Sequence, residues 1–270
     1  MKNYSNSFNA RSILLILVFI IIENPIFSQK HIVRMATVGN SITYGAKSDN
    51  PFEDSYSNQL SIMLSEVYGD TCLVQKYAHS ARTMMRNSER PIWKETEFKD
   101  ALKFVPDICL ILLGTNDSKP YRWDLWGNEF LYDYLAMIDT FKLRNPNTKF
   151  IVCYPTPIWK EHTYGNTFEE KHNDSIVVNE IIPLIDSVVA KTGAFLMDFH
   201  TTFIDSVHLF PDYLHPGKRG CKLMAQMIFD TIQKYDLIHT IEAGLTFVSG
   251  FEPETSLIAV GNKITLSWSP

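Results

Sequence analysis

Short apolar runs alternate with longer amphipathic ones between Gln29 and Tyr235. The short runs cover His31–Val38, Cys72–Tyr77, Ile108–Leu113, Phe150–Tyr154 and Ala194–Asp198. They are rich in Val, Ile, Leu and Phe with little polar alternation, the pattern of strands buried on both faces. The longer runs have helical spacing. Tyr56–Val67 is one; Glu129–Arg144 carries Leu131, Tyr134, Leu135, Ile138 and Phe141 on one stripe; Asp174–Thr192 is interrupted at Pro183; Leu223, Met224, Met227, Ile228 and Ile232 mark the last. Parallel strands need crossovers, so this alternation predicts an α/β fold: a three-layer α/β/α sandwich around a five-stranded parallel sheet. Ligands in such sheets sit beyond the carboxyl ends of the strands. Chemistry should therefore be sought in the segment that follows each strand.

The two ends read differently. Lys2 and Arg11 precede an unbroken apolar run from Ile13 to Ile22, then a polar break from Glu23 to Pro25 and a small residue at Ser28. This is the pattern of a secretory signal peptide over residues 1–28, with a mature chain from Gln29 and a secreted or periplasmic location. The apolar run is about half of the roughly 20 residues a spanning helix needs, so a retained membrane anchor is the weaker reading. After Tyr235 the helical periodicity stops, and Gly-punctuated, alternating sequence runs to Ile264, Leu266 and Trp268. The expected organisation is one α/β domain over 29–238, then a β-rich tail or truncated β-sandwich start over 239–270. The LSWSP ending looks like an early strand of a fibronectin-III-type module.

Composition narrows the partners. Lys and Arg number 25 against 30 Asp and Glu, a net charge of −5, and no polybasic run is present, which disfavours nucleic acid. Hydrophobic residues at 45% and charged residues at 20% describe an ordinary globular chain. Export permits disulfides, but the four cysteines have neither a framework spacing nor paired C-x-x-C ligands. Cys109 and Cys153 fall inside strand-like runs, where a buried free thiol is the favoured reading.

Three post-strand segments carry candidate chemistry. After the first strand comes Gly39-Asn40-Ser41-Ile42-Thr43-Tyr44-Gly45, where a serine at a tight turn is placed as a nucleophile or, more blandly, as a helix cap. The spacing is not the G-x-S-x-G elbow, and no strand is followed by a dinucleotide or P-loop fingerprint. After the third strand comes Gly114-Thr115-Asn116-Asp117, a common turn sequence whose amide could donate to developing negative charge. After the fifth comes Asp212-Tyr213-Leu214-His215, in which the aspartate can reach back to the imidazole and fix its tautomer. A metal site at His208, Asp212 and His215 competes with that reading, without H-E-x-x-H or a cysteine to support it. Jointly the three supply nucleophile, oxyanion donor and oriented base.

In this order the segments resemble the motif blocks of the SGNH, or GDSL-type, hydrolase family across about Arg34 to Tyr235. The resemblance implies a flavodoxin-like fold and a catalytic domain over 29–238. It implies Ser41 as nucleophile, Asp212 and His215 as acid and base, and Asn116 as side-chain oxyanion donor, with Gly39, Asn40, Gly114 and Asp117 in support. Asn40 stands where the family usually has Asp. The second block looks like Tyr77-Ala78-His79-Ser80-Ala81-Arg82-Thr83, with Ala81 where glycine is usual; alanine keeps the N–H donor but not glycine's freedom at positive φ. The VGNSITYG opening, Glu89–Lys94, Leu113–Pro120 and the FPDYLHP ending are similar to the secreted bacterial sialate O-acetylesterase-like branch.

The expected function is thus a secreted serine esterase acting on O-acyl, above all O-acetyl, esters of carbohydrates such as sialic acid. No cofactor and no metal is called for, and the expected partner is a small-molecule or glycan ester. A lipase, thioesterase or acyltransferase would use the same site chemistry, and a non-catalytic carbohydrate-binding protein on this scaffold is an alternative of another class. Tyr121, Arg122, Trp123, Trp126, Trp159 and His162 suit stacking on sugars, against the plainer reading that they pack long loops.

Overall fold

The computed structural model describes residues 31–245 apart from 161 and 163, together with two short strands, 257–260 and 263–266. The expected signal peptide over 1–28 lies outside the described residues. Strands β1 (Val33–Gly39), β2 (Cys72–Ala78), β3 (Ile108–Leu112), β4 (Lys149–Tyr154) and β5 (Phe195–Asp198) form one parallel sheet in the order β2-β1-β3-β4-β5. The order reverses beside β1, so β1 and β3 lie next to each other at the topological switch point. Crevices form at the carboxyl ends there. Ser41 follows β1 and Asn116 follows β3, which puts both at that opening.

The helices are α1 (Ser41–Tyr44), α2 (Tyr56–Tyr68), α3 (Thr96–Phe104), α4 (Pro120–Trp126), α5 (Phe130–Lys142), α6 (Asp174–Ile176), α7 (Ile182–Thr192), α8 (Phe199–Phe203), α9 (Lys218–Lys234) and α10 (Leu237–Leu245). Strand β3 shows why the sandwich has three layers. Ile108, Leu110 and Leu112 join Leu60, Leu64, Met224 and Ile228 in one core, while Cys109 and Ile111 join Phe98, Phe130, Phe141 and Ile185 in the other. Alternate side chains thus feed opposite faces, and each fully buried aliphatic contributes about 1.5–3 kcal/mol. Cys109, Cys153 and Cys221 are buried free thiols, and Cys72 is buried as well.

Some local expectations change. The helix predicted over 174–192 is broken upstream of Pro183: a π turn over Val177–Ile181 separates α6 from α7. Proline has no N–H to donate, and the wider turn absorbs the missing bond. Helices α3 and α4 are additional. The helical run also does not stop at Tyr235: Asp236, at φ 48, breaks the axis and α10 follows, with Leu237 and Ile238 buried in the first core. Within the segment read as β-rich, β6 (Leu257–Val260) and β7 (Lys263–Leu266) pair antiparallel.

Candidate active site

The turn after β1 is built by Asn40 and Gly39. Asn40 is fully buried and its Oδ1 accepts from the Ile42 N–H at 3.0 Å, starting α1 at Ser41. A Cβ on Gly39 would lie 2.0 Å from Thr43 Oγ1 and 2.8 Å from the Leu112 carbonyl oxygen, so only glycine lets the turn close against β3. Ser41 is thereby presented at the first turn of a helix, where N–H groups have no intrahelical partner.

His215 meets it from the far end of the chain. The Ser41 hydroxyl and His215 Nε2 are 2.8 Å apart, and His215 Nδ1–H donates to Asp212 Oδ2 at 2.8 Å. The other carboxylate oxygen accepts the His215 backbone N–H at 2.7 Å, which locks the two residues in one turn. Burial works against the Asp212 anion, but the hydrogen bonds and charge of His215, with the Tyr164 hydroxyl, hold its carboxyl well below the usual range. Both ring nitrogens of His215 are committed and His208 is exposed on a separate turn, so the metal reading of His208, Asp212 and His215 fails on geometry. Elsewhere, His79, Glu95 and Glu97 come within metal-ligating reach of one another, with Arg82 already donating to Glu95 at 2.6 Å.

The second and third blocks are stapled together. Asp117 accepts from the Met84 N–H at 2.9 Å and the Met85 N–H at 3.0 Å, and its own N–H, like that of Ser118, returns to the Gly114 carbonyl at 3.1 Å. Asn116 Nδ2 donates to the Arg82 carbonyl at 3.1 Å. The loop between them carries Ala81 at φ 63, lining the same cleft as Ser41 and Asn116, and its N–H has no partner among the described residues. The staple imposes on alanine the backbone conformation that glycine would adopt freely.

Two residues that the sequence reading missed complete the site, both from the long loop between β4 and α6. Tyr164 donates its hydroxyl to Asp212 Oδ2 at 2.9 Å and sets its ring edge-on to His215 at 5.4 Å. Burial, then the Asp212 hydrogen bond, pushes the Tyr164 phenol up to about 12, so it stays a donor. His172 Nε2 lies 3.1 Å from Asn116 Oδ1. The one available signal was His172-Asn173-Asp174, where Asn173 caps the next helix and so pins that end of the loop.

The cleft holds about 910 Å³. Its walls include Lys47, Glu89, Arg90, Lys119, Tyr121 and Glu170, a mixed charged lining. Of the six residues read as sugar-stacking, only Tyr121 and Arg122 line it. Trp123 packs on Phe130 and Trp159 on Phe210, Trp126 lies against the second core, and His162 is buried edge-on to His172. Arg122 is itself buried and committed, donating to Glu89 at 2.6 Å and to the Asn116 carbonyl at 2.8 Å.

The chain belongs to the GDSL-like lipase/acylhydrolase family, which it matches over residues 37–223. It is 33% identical over 219 residues to an acetylxylan esterase of Xylanibacter ruminicola, an alignment covering 74% of this chain and 43% of the relative. The chain therefore spans less than half the length of that curated relative. Its fold is similar to that of a GDSL-like protein from Parabacteroides merdae, at TM-score 0.58 and 20% identity over 77% of this chain and 97% of that one. An acetylxylan esterase of Geobacillus stearothermophilus superposes at TM-score 0.54 and 18% identity, over 75% and 94% of the two chains.

Proposed function

We propose that this chain is a serine carboxylic ester hydrolase that removes acetyl groups from carbohydrate hydroxyls. The observation that carries the reading is the unbroken relay from Ser41 Oγ through His215 to Asp212, with 2.8 Å at each step. In the first half-reaction Ser41 Oγ attacks the ester carbonyl carbon while His215 Nε2 takes the hydroxyl proton. The negative oxygen is received by the N–H groups of Ser41 and Ala81 and by Asn116 Nδ2. His215 returns the proton to the departing alcohol; water, deprotonated by the same imidazole, then releases acetate from the serine.

The acetyl assignment draws on the acetylxylan esterase relative. A long acyl chain would want a broad apolar wall, and the charged lining of the cleft argues against a lipase. A binding module has no use for a serine in hydrogen-bond contact with an oriented base. For the alcohol, the sequence resemblance suggests O-acetylated sialic acid and the relative suggests acetylated xylan. The pattern of residues 1–28 supports action outside the cytoplasm, which cell fractionation and N-terminal sequencing at Gln29 would check.

Ser41→Ala is expected to abolish hydrolysis of an activated acetyl ester and labelling by a serine-directed phosphonate while the far-UV spectrum is unchanged. Retained turnover in that variant would end the assignment. A panel of acetylated xylan, O-acetylated sialic acid and longer acyl esters then decides the substrate.

A further inference from the structure

We propose that His172 is a positioning residue for Asn116, holding the amide as a neutral imidazole protonated on Nε2, so that a free Nδ2 hydrogen faces the reacting carbonyl oxygen. This rests on the oxyanion role given to Asn116 above. An amide can turn over, and its neighbours decide which way it points. Asn116 Nδ2 lies 3.1 Å from the Arg82 carbonyl oxygen, which only accepts, so the nitrogen must be on that side. Asn116 Oδ1 then needs a donor, and the atom 3.1 Å away is His172 Nε2. A bare imidazole nitrogen there would set two acceptors against each other. Nε2 therefore carries the proton.

The rest of the pocket keeps that state. His172 is 9% exposed, and burial followed by the charge of Lys119 holds its pKa well below the usual value, so no second proton is taken. Its Nδ1 is buried without a partner among the described residues, an acceptor lone pair and not a stranded N–H. The ring cannot swing away easily. Its backbone carbonyl accepts from His162 Nε2 at 3.0 Å, the two rings meet edge-on at 5.4 Å, and the next N–H, of Asn173, donates to Ser118 Oγ at 3.2 Å. Of the two amide hydrogens on Asn116, one is spent on Arg82 and the other remains for chemistry. Without His172, Oδ1 loses its donor and the Arg82 carbonyl alone holds the amide, which can then tilt its second hydrogen away about that one remaining bond.

The test combines variants with a measurement on the unaltered protein. His172→Leu and His172→Gln are made in the native and Asn116→Ala backgrounds and assayed for kcat and KM on p-nitrophenyl acetate; the His172 tautomer is read by nitrogen NMR. His172→Leu is expected to lower kcat about 10- to 100-fold, the scale of a misplaced catalytic group, with KM changed less than about twofold. His172→Gln, which puts an amide N–H near the lost Nε2–H, should recover most of the loss. In the Asn116→Ala background His172→Leu should change kcat less than about twofold, because its target is gone. A full loss in that background, an effect confined to KM, or an Nδ1–H tautomer would each overturn the proposal. If the leucine variant does not fold, the glutamine variant and the tautomer still decide. Asn116→Ala leaving kcat intact would instead overturn the oxyanion reading, a separate result.

Discussion

Ala81 sits at φ 63, a conformation that costs an L-residue about 1–2 kcal/mol and glycine nothing. Replacing it with glycine relieves that cost but frees the unfolded chain by about 0.4–1 kcal/mol. Ala81→Gly should therefore raise the melting temperature slightly and leave kcat within about twofold; a lower melting temperature would mean that the methyl group packs more than it strains. Asp117, fully buried, makes a pH prediction. Burial pushes its carboxyl up to about 6 from an ordinary 3.8, against the Met85 and Met84 N–H groups and the Arg122 charge that favour the anion. The folded protein thus holds this proton where the unfolded chain has released it. The group's stabilisation is complete below about pH 3.8 and is lost as pH rises through about 6, a difference of about 3 kcal/mol. Unfolding free energies of the native protein and Asp117→Asn, compared from about pH 4 to pH 7, should separate by that trend; parallel curves would refute it. At this scale the site was partly legible. Ser41, Asn116 and the Asp212–His215 pair each follow a strand within a recognisable motif, whereas Tyr164 has no local signature and His172 only the helix cap of Asn173 beside it. Their roles come from the path of a loop, which no spacing along the chain encodes.

That loop, residues 155–173, links the two halves of the site: Tyr164 reaches the aspartate of the relay and His172 the amide. Its turn depends on Gly165, at φ 96, where a Cβ would lie 2.6 Å from the carbonyl carbon and oxygen of Glu170. Gly165→Ala must displace one strand of the loop, at a strain of about 1–3 kcal/mol, and drag both contacts with it. The expected result is a fall in kcat of about tenfold or more with a smaller change in the melting temperature, since of residues 164–171 only the partly buried Tyr164 packs against a core. A large drop in melting temperature with unaltered kcat would show that the loop stabilises the fold and does not organise the site. Among regular elements, the five strands were legible because burial on both faces leaves continuous apolar runs. Helix α3 was not, since Phe98 and Ala101 are its only buried residues, and α4 was hidden because its aromatic residues suggested a ligand surface. Trp123 and Trp126 serve the second core instead. Composition alone cannot tell an aromatic that stacks on a sugar from one that stacks on phenylalanine.

The whole molecule depends on where the first core ends. The apolar periodicity of α9 closes at Tyr235, and the sequence reads as a domain ending at residue 238 with a β-rich tail beyond it. The structure instead turns the chain back: α10 packs against α9 and β1, with Ile238 fully buried and Leu237 nearly so. Removing these two side chains from water contributes about 3–6 kcal/mol, a sizeable share of the 5–15 kcal/mol that holds a typical domain together. A chain ending at Leu245 retains both and should unfold cooperatively, with esterase activity on p-nitrophenyl acetate close to that of the full chain. A chain ending at Tyr235 keeps every residue of the site yet should melt at a markedly lower temperature and lose activity on warming well before the longer one. Equal melting temperatures would mean that α10 is an appendage on a core already complete at α9.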